Sequence, residues 1–337
     1  MSWTMRLRGL DKLDRPKGLD RLERPKGLDR LDRPKGLDRL DRPEELDRPL
    51  GRQAGSTTSY DEVARRSAAV VISSYSTSFG AACRLLGDPV RTHVRDIYAL
   101  VRIADEMVDA PELGADVRRR AELLERLEEE TRQALVDGRS SNLVVHAFAT
   151  TARACGIDMD LVGPFFDSMR TDLHRTEHDE KTFERYVYGS AEVVGLMCLR
   201  AFLSDGRPDA TYAELAPGAR RLGAAFQKVN FLRDLCEDHE LLGRSYFPGL
   251  TLDRFDDHHR DVILADVDAD LAAAAAVIPR LPPSSRRAVA AAHGLFAELS
   301  ARLAATPAER IRRERVRVPT AVKARIVARA LMGGLPG

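Results

Sequence analysis

The segment 97–109 is apolar around most of a helix, yet it carries a stripe of polar side chains. Tyr98, Arg102, Asp105 and Asp109 stand at i, i+4, i+7 and i+11. A helix turns by about 100° per residue, so all four fall on one narrow face. The apolar surroundings predict a buried helix. Buried carboxylates are costly unless they are paired or bind a cation, and this face has one arginine for two aspartates. The sequence therefore predicts a core helix that needs a further positive charge.

A second segment, 226–238, repeats this pattern, because Gln227, Asn230, Asp234 and Asp238 also share one side of a predicted helix. Both segments contain Asp-x-x-x-Asp. Mg²⁺ prefers oxygen ligands and usually keeps waters and phosphate oxygens among them, which suits two facing acidic helices around a diphosphate. Either motif alone is more often an exposed face with salt bridges. Their joint occurrence among apolar residues favours a metal site.

The rest of the body also has helical periodicity, without convincing alternating strands, which predicts an all-α domain over residues 56–335. Residues 1–55 consist largely of a nine-residue repeat with a proline in each unit and few apolar side chains, so we expect a disordered tail. Helices are predicted at 61–73, 90–110, 117–136, 142–154, 161–173, 183–203, 212–239, 260–278, 284–304 and 320–331.

Composition excludes several function classes. Lysine plus arginine (53) almost cancels aspartate plus glutamate (52), so no global field favours nucleic acid as a partner. The four cysteines are far apart, without the close pairs of a zinc site or the density of a secreted scaffold, which favours the cytoplasm. No apolar run approaches the roughly 20 residues that span a bilayer. Contact with the inner face of the membrane is therefore expected to be peripheral.

Several motifs resemble the squalene and phytoene synthase family, and most closely the phytoene synthases of actinobacteria. Asp105-Glu-Met-Val-Asp109 and Asp234-Leu-Cys-Glu-Asp238 resemble its two aspartate-rich helices, and Gly243-Arg-Ser-Tyr-Phe-Pro248 resembles its Gly-Arg-x-Tyr-Leu-Pro loop. Tyr186-Val-Tyr-Gly-Ser-Ala-Glu-Val-Val-Gly195 is similar to its central-helix motif. Glu192 departs from the glycine of many relatives. The resemblance runs from about residue 56 to residue 331.

The resemblance implies a single-domain helical bundle of the isoprenoid synthase type, with a central cavity. It implies Mg²⁺, with Mn²⁺ as an alternative, held by Asp105, Asp109, Asn230, Asp234 and Asp238. The same aspartates would act in catalysis with Tyr98, Arg102 and Tyr246. Substrate would be bound by Ser76, Ser78, Phe79, Tyr188, Ala191, Val194, Gln227, Asn230, Arg233 and Arg244.

An apolar tunnel for the prenyl chains is assigned to six residues, although ordinary core packing is the commoner role for each. They are Phe79, Val194, Leu196, Met197, Leu199 and Phe226. His174 and His178 stand at i, i+4, but a solvated loop or helix start is commoner than a metal site for such a pair. We therefore leave both histidines out of the predicted site.

The implied reaction is that of a phytoene synthase, a prenyltransferase that joins two geranylgeranyl diphosphates head to head through a cyclopropylcarbinyl diphosphate. It needs no NADPH, and a phytoene desaturase would use its product. Squalene, dehydrosqualene and presqualene diphosphate synthases, which use farnesyl diphosphate, are the alternatives of the same class. A class I terpene cyclase shares the spacing of Asn230, Asp234 and Asp238, but the 243–248 loop argues against it. A non-catalytic helical scaffold is opposed by the intact aspartates.

Overall fold

The computed structural model describes residues 59–76, 78–109, 116–205 and 210–334. Within these ranges the regular structure is helical and contains no strand, and a single isolated bridge pairs Glu177 with Ser245. The predicted all-α class is confirmed. The nine-residue repeats lie outside the described residues, and so do the side chains of Ser78 and Phe79, two predicted substrate-binding residues.

The α-helices follow the predicted order closely, with additional short elements. They are α1 (Tyr60–Tyr75), α2 (Ser78–Cys83), α3 (Val90–Asp109), α4 (Val117–Asp137), α5 (Leu143–Cys155), α6 (Met159–His174), α7 (Glu180–Val187), α8 (Val193–Leu203), α9 (Tyr212–Arg233), α10 (Leu235–Leu242), α11 (Asp257–Val277), α12 (Pro283–Ala304), α13 (Ala308–Ile311) and α14 (Thr320–Leu331).

Capping residues explain where several helices begin and end. The Asn142 side chain accepts hydrogen bonds from two backbone amides at the start of α5, and Gly156 ends that helix in the left-handed conformation at φ 69°. Thr211 and Glu214 form a capping box at the start of α9. These signals are local in sequence, so the observed ends lie within a few residues of the predicted ones.

Helix α3 occupies the centre of one half of the bundle, where it packs against α1, α4, α5, α6 and α8. Its apolar residues form one core cluster with those of α5, α6 and α8. A second cluster joins α9 to α11, α12 and the loop that follows α10. The predicted acidic segments thus belong to two neighbouring parts of the core.

Helices α6, α8 and α9 approach one another through glycines. A Cβ atom on Gly189 would lie 2.1 Å from the carbonyl oxygen of Pro164, and one on Gly223 would lie 2.5 Å from that of Ala191. On Gly195, a Cβ would lie 2.6 Å from the carbonyl oxygen of Ala219. No side chain fits at such distances, so these backbones touch.

Two helices predicted as continuous are interrupted in the structure. The 212–239 helix is broken at Asp234, where φ −104° and ψ 13° fall outside the helical region, and α10 begins after it. The 183–203 helix contains a π-helical turn at Tyr188–Glu192 between α7 and α8. Such turns are frequent at functional sites. Propensity predicts neither interruption, because tertiary packing decides both.

The stretch Glu180–Leu203 is long and apolar enough to cross a membrane by length and composition, with 67% of its most apolar window buried inside the bundle. No segment of this kind was expected from the sequence. Its composition is also that of a core helix, and here it packs against α6 and α9. Length and apolarity alone do not separate the two roles.

Candidate active site

The acidic stripe of α3 is buried, as its spacing predicts. Tyr98, Arg102 and Asp105 are each at most 3% exposed. Arg102 Nη1 donates to Asp105 Oδ2 at 3.1 Å, its Nη2 pairs with Glu106, and its guanidinium lies 4.2 Å above the Tyr75 ring. A cation held by two carboxylates and a ring face is fixed in position.

Asp109, the last residue of the stripe, is paired by an arginine from a distant part of the chain. Arg244 Nη1 lies 2.9 Å from Asp109 Oδ1, and both side chains are buried. Within the helix itself, one arginine faces two aspartates. That count was incomplete, because the second cation comes from the loop after α10.

The second motif surrounds the break in α9. Asp234 is 1% exposed, and its Oδ1 accepts from Arg233 Nε at 2.8 Å and lies 2.8 Å from Arg315 Nε. Arg315 Nη1 also reaches Glu237 at 3.4 Å. Arg315 lies about 80 residues further along the chain. The structure places it directly on a predicted metal ligand.

Arg244 connects the two motifs. Its backbone amide donates to the carbonyl oxygen of Asp238 at 3.2 Å, while its guanidinium pairs with Asp109. An extended arginine side chain is only a few bonds long, so the last aspartates of both motifs lie within one side chain's reach. The structure therefore brings together two segments that are about 130 residues apart in sequence.

A group of buried residues that sequence reasoning missed surrounds Arg244. Arg244 Nη2 donates to the carbonyl oxygen of Asp172 at 2.8 Å, and Nη1 lies 3.9 Å from Asp172 Oδ1. The Tyr186 hydroxyl donates to Asp172 Oδ2 at 2.8 Å. Asp172 continues the apolar stripe of α6 after Phe165 and Met169, and a charge at such a position is the signal that could have found it.

The Tyr246 ring stacks on Phe231 at 4.0 Å, and its hydroxyl lies 3.4 Å from Arg244 Nη1.

His178 is also buried, with its ring 5.0 Å from that of Tyr186. The expectation of a solvated His178 was wrong, because the loop is held inward by the Ser245 amide, which donates to Thr176 O at 2.8 Å. His174 is exposed, as expected.

The remaining predicted residues divide between the core and the surface. Gln227 is fully buried, and its Nε2 donates to Ser190 Oγ at 3.3 Å. Ser76 caps α1 and accepts from the Gly80 amide. Ala191 and Val194 are buried in the helix packing, and Asn230 is buried one turn before Asp234. Tyr188 lines a separate polar groove with Glu192 and Arg220.

An apolar cavity of about 80 Å³ lies between α2, α3, α8, α9, α11 and α12. Of the predicted tunnel residues, Leu199 and Phe226 line it, whereas Val194, Leu196 and Met197 pack in the neighbouring core. Phe226 immediately precedes Gln227 on α9. One helix thus leads from the cavity to the carboxylates.

Burial dominates the electrostatics of the site. It raises the pKa of Asp109 to about 6, although Arg244 acts in the opposite direction. Burial also raises the pKa of Tyr98 and of Tyr186 above that of an ordinary phenol, and it lowers the pKa of His178. At neutral pH both phenols therefore keep their protons, and the histidine ring is neutral.

Comparison with known proteins decides the family. A profile described as squalene/phytoene synthase matches residues 72–321. The chain belongs to the squalene/phytoene synthase family. A 15-cis-phytoene synthase of Enterobacter agglomerans is 30% identical over 251 residues, which cover 66% of this chain and 80% of that protein.

Other members of the squalene/phytoene synthase family match over shorter segments. A 4,4'-diapophytoene synthase of Staphylococcus haemolyticus is 28% identical over 59% of this chain and 67% of its own length. A 15-cis-phytoene synthase of Pantoea ananas is 31% identical over 53% of this chain, and the match spans only 57% of that relative. The names of these relatives confirm the predicted enzyme class, a prenyl-transferring synthase.

Solved structures of the family have the same fold. A dehydrosqualene synthase in complex with ligand has a TM-score of 0.65 at 18% identity and covers 81% of this chain and 97% of its own. Squalene synthase HpnC from Alicyclobacillus acidocaldarius has a TM-score of 0.63 at 21% identity, with 76% and 97% covered. At these identities the likeness concerns the fold, and it confirms the predicted isoprenoid synthase bundle.

The donor set of the site fits Mg²⁺. Among the described residues, no three His, Cys, Asp or Glu side chains form a ready-made metal site. Mg²⁺ is usually held by one or two carboxylates together with substrate phosphates, so such a cage is not required. Acidic groups also exceed basic ones among the buried side chains of the site. The carboxylates are Asp105, Asp109, Asp172, Asp234 and Asp238, and the guanidinium groups are Arg102, Arg233, Arg244 and Arg315.

Proposed function

We propose that this chain is a phytoene synthase, which condenses two molecules of geranylgeranyl diphosphate head to head through a cyclopropylcarbinyl diphosphate. The observation that carries the proposal is the position of Arg244, which pairs with the Asp109 carboxylate through its guanidinium and with the Asp238 carbonyl oxygen through its backbone amide. Two acidic motifs, four arginines and an adjoining apolar cavity suit a substrate with a diphosphate head and a hydrocarbon tail.

Asp105, Asp109, Asn230, Asp234 and Asp238 are the residues that would hold Mg²⁺, or Mn²⁺ in its place. The ion would supply positive charge for the leaving diphosphate. Carbon–oxygen cleavage increases the negative charge on the diphosphate, so fixed donors stabilise the transition state more than the ground state. Arg102, Arg233 and Arg244 each pair with a buried aspartate of the two motifs, which keeps them close to the place that the diphosphate would occupy.

The tyrosines assist the end of the reaction. Formation of phytoene requires loss of a proton, and the released diphosphate is a suitable weak base. The Tyr246 hydroxyl stands beside Arg244, and burial keeps Tyr98 protonated, so both can donate hydrogen bonds that orient the diphosphate. No residue of the chain then has to remove the proton itself.

The apolar cavity would receive part of the hydrocarbon chain, because its volume of about 80 Å³ is smaller than a whole C20 chain. Leu199 and Phe226 are part of its wall, and the Phe296 ring stacks on Phe226 at 3.7 Å. An allylic carbocation reacts with any water it meets, so a dry lining protects it until the second double bond attacks. Val194, Leu196 and Met197, which the sequence assigns to the tunnel lining, pack in the core beside this region.

Several relatives named phytoene synthase, at about 30% identity, support geranylgeranyl diphosphate as the substrate. The diapophytoene synthase among the relatives supports farnesyl diphosphate as the second candidate. We further propose that no NADPH is consumed, and that the oily product passes to a phytoene desaturase. The enzyme would be cytoplasmic, in peripheral contact with the inner face of the membrane.

The test uses the purified full chain with Mg²⁺ and either geranylgeranyl or farnesyl diphosphate, with and without NADPH. The hydrocarbon is identified by chromatography and mass spectrometry. Asp234→Asn is the inactivating variant, and Asp270→Asn is its matched control. Both aspartates are buried and each has two basic partners, but Asp270 pairs with Arg221 and Lys228 between α9 and α11.

Phytoene formed without NADPH by the wild type and by Asp270→Asn, with at least a hundredfold loss in Asp234→Asn, is the expected result. A C30 hydrocarbon would keep the condensation and change the substrate. A cyclised product, or no release of diphosphate with Mg²⁺, would overturn the proposal.

A further inference from the structure

Arg244 is shared between two carboxylates that belong to different helices. Its Nη1 lies 2.9 Å from Asp109 Oδ1 and 3.9 Å from Asp172 Oδ1. Asp109 belongs to the first acidic motif, whereas Asp172 lies at the end of α6 and in neither motif. Among the arginines of the site, Arg102, Arg233 and Arg315 each pair with a motif aspartate as well. Arg244 also pairs with Asp172, an aspartate outside the motifs.

Asp172 is held more rigidly than an aspartate at a surface would be. Its Oδ2 accepts from the Tyr186 hydroxyl at 2.8 Å, and its carbonyl oxygen accepts from Arg244 Nη2 at 2.8 Å. Tyr186 is 1% exposed, and its ring is packed among those of His178, Phe231 and Tyr246. The guanidinium therefore has one partner on a fixed support and another at the end of the acidic stripe.

We propose that Asp172 is a positioning residue, which keeps Arg244 in place and releases Asp109 from it when a divalent cation binds. The inference rests on the proposed function, because it takes Asp109 as a ligand of that cation. Arg244 then remains beside the bound diphosphate and does not compete with the cation for Asp109. Asp172 touches neither substrate nor cation, and it acts through the arginine.

Removal of the Asp172 charge has a defined consequence. Asp172→Asn retains the size of the side chain and the main-chain carbonyl that accepts from Nη2, but Arg244 then has Asp109 as its one carboxylate. The cation must displace this arginine from a buried pair. Loss of a partner that orients a metal ligand typically lowers metal affinity by about 10–100-fold. We expect a decrease of about tenfold or more.

The experiment measures binding of inorganic pyrophosphate by isothermal titration calorimetry at a series of Mg²⁺ concentrations, so it does not depend on turnover. Asp172→Asn should need at least tenfold more Mg²⁺ for half-maximal binding and should recover wild-type binding at high Mg²⁺. Tyr186→Phe, which removes the hydroxyl that fixes Asp172, should shift in the same direction by a smaller factor. Asp270→Asn, at an equally buried aspartate away from the site, should not shift.

A double-mutant cycle separates positioning from a general loss of negative charge. If Asp172 acts through Arg244, then Asp172→Asn changes the Mg²⁺ requirement less than threefold in an Arg244→Gln background. An equal shift in both backgrounds, or no shift in Asp172→Asn alone, would overturn the inference while leaving the proposed function standing. Wild-type protein that binds pyrophosphate without any dependence on Mg²⁺ would overturn both.

Discussion

Replacing Gly223 with alanine should destabilise the fold at the place where α9 meets the π-helical turn. The new Cβ would lie 2.5 Å from the carbonyl oxygen of Ala191 and 3.1 Å from Glu192 Cα. These are backbone atoms, so no side chain can rotate away. Ordinary contact begins near 3.4 Å, and the helices would have to separate by about 0.9 Å.

Overpacking of this kind costs about 1–3 kcal/mol. Alanine stabilises a helix by about 0.5–1 kcal/mol relative to glycine, which offsets only part of that cost. The net cost of about 1 kcal/mol should lower the midpoint temperature by roughly 2–4 °C in a chain of this size. The bond from Gln227 to Ser190 spans the same contact, so we also expect kcat to fall.

Gly163→Ala is the matched control. Gly163 lies inside α6, and an added Cβ would meet a single atom, the methyl carbon of Met159 at 4.0 Å. This variant should be stabilised by about 0.5–1 kcal/mol, because only helix propensity changes. Urea unfolding followed by circular dichroism measures both. Equal stabilisation of Gly223→Ala and Gly163→Ala would refute the close contact between α9 and the π-helical turn.

Three further predictions concern other parts of the molecule. Burial raises the pKa of Asp96 to about 7, so the folded protein holds this proton more tightly, and the stabilisation is complete below pH ~4 and lost as the pH rises through 7. Between pH ~5 and ~7 the free energy of unfolding of the wild type should therefore fall by about 1.4 kcal/mol per pH unit more steeply than that of Asp96→Asn. Urea unfolding at several pH values measures both, and parallel plots of the unfolding free energy against pH would contradict this. Arg315→Lys should lower kcat/KM by about tenfold, because one ammonium group does not replace a guanidinium that reaches two carboxylates. The control Arg310→Ala, which changes an exposed arginine, should have the kcat/KM of the wild type. All four cysteines are buried, namely Cys83, Cys155, Cys198 and Cys236. A water-soluble disulfide reagent should therefore label no thiol rapidly in the native protein and four thiols after unfolding. A fast reaction of the native protein would place a cysteine at the surface.

Periodicity predicted the first half of the site well, because the information is local. Tyr98, Arg102 and Asp105 lie on one helix, and their common face follows from 3.6 residues per turn. The same reasoning could not find that Arg244 pairs with Asp109, since no local rule relates residues that are 135 positions apart. The predicted shortage of positive charge was therefore only partly correct.

In the second half of the site, helix propensity does not predict where the helices are interrupted. The sequence from Tyr212 to His239 is predicted as one helix, yet the helix breaks at Asp234, where Arg233 and Arg315 hold the carboxylate. The π-helical turn depends in the same way on contact with α6 and α9 through Gly189 and Gly223. Both features belong to the packing, and all the predicted metal ligands, Asp105, Asp109, Asn230, Asp234 and Asp238, remain proposals.

The position of Arg244 also fixes how many residues can lie between Asp238 and Arg244. Loops usually tolerate insertions and deletions. The stretch from Asp238 to Arg244 consists of the end of α10 and the two residues after it, and it has its first residue in one motif and its last paired with the other. Gly243 turns this stretch at φ 62°. One residue more or fewer would move the guanidinium away from Asp109 even if every side chain were retained. The length of this stretch therefore sets the distance between the two motifs, and any redesign of this enzyme should keep its residue count.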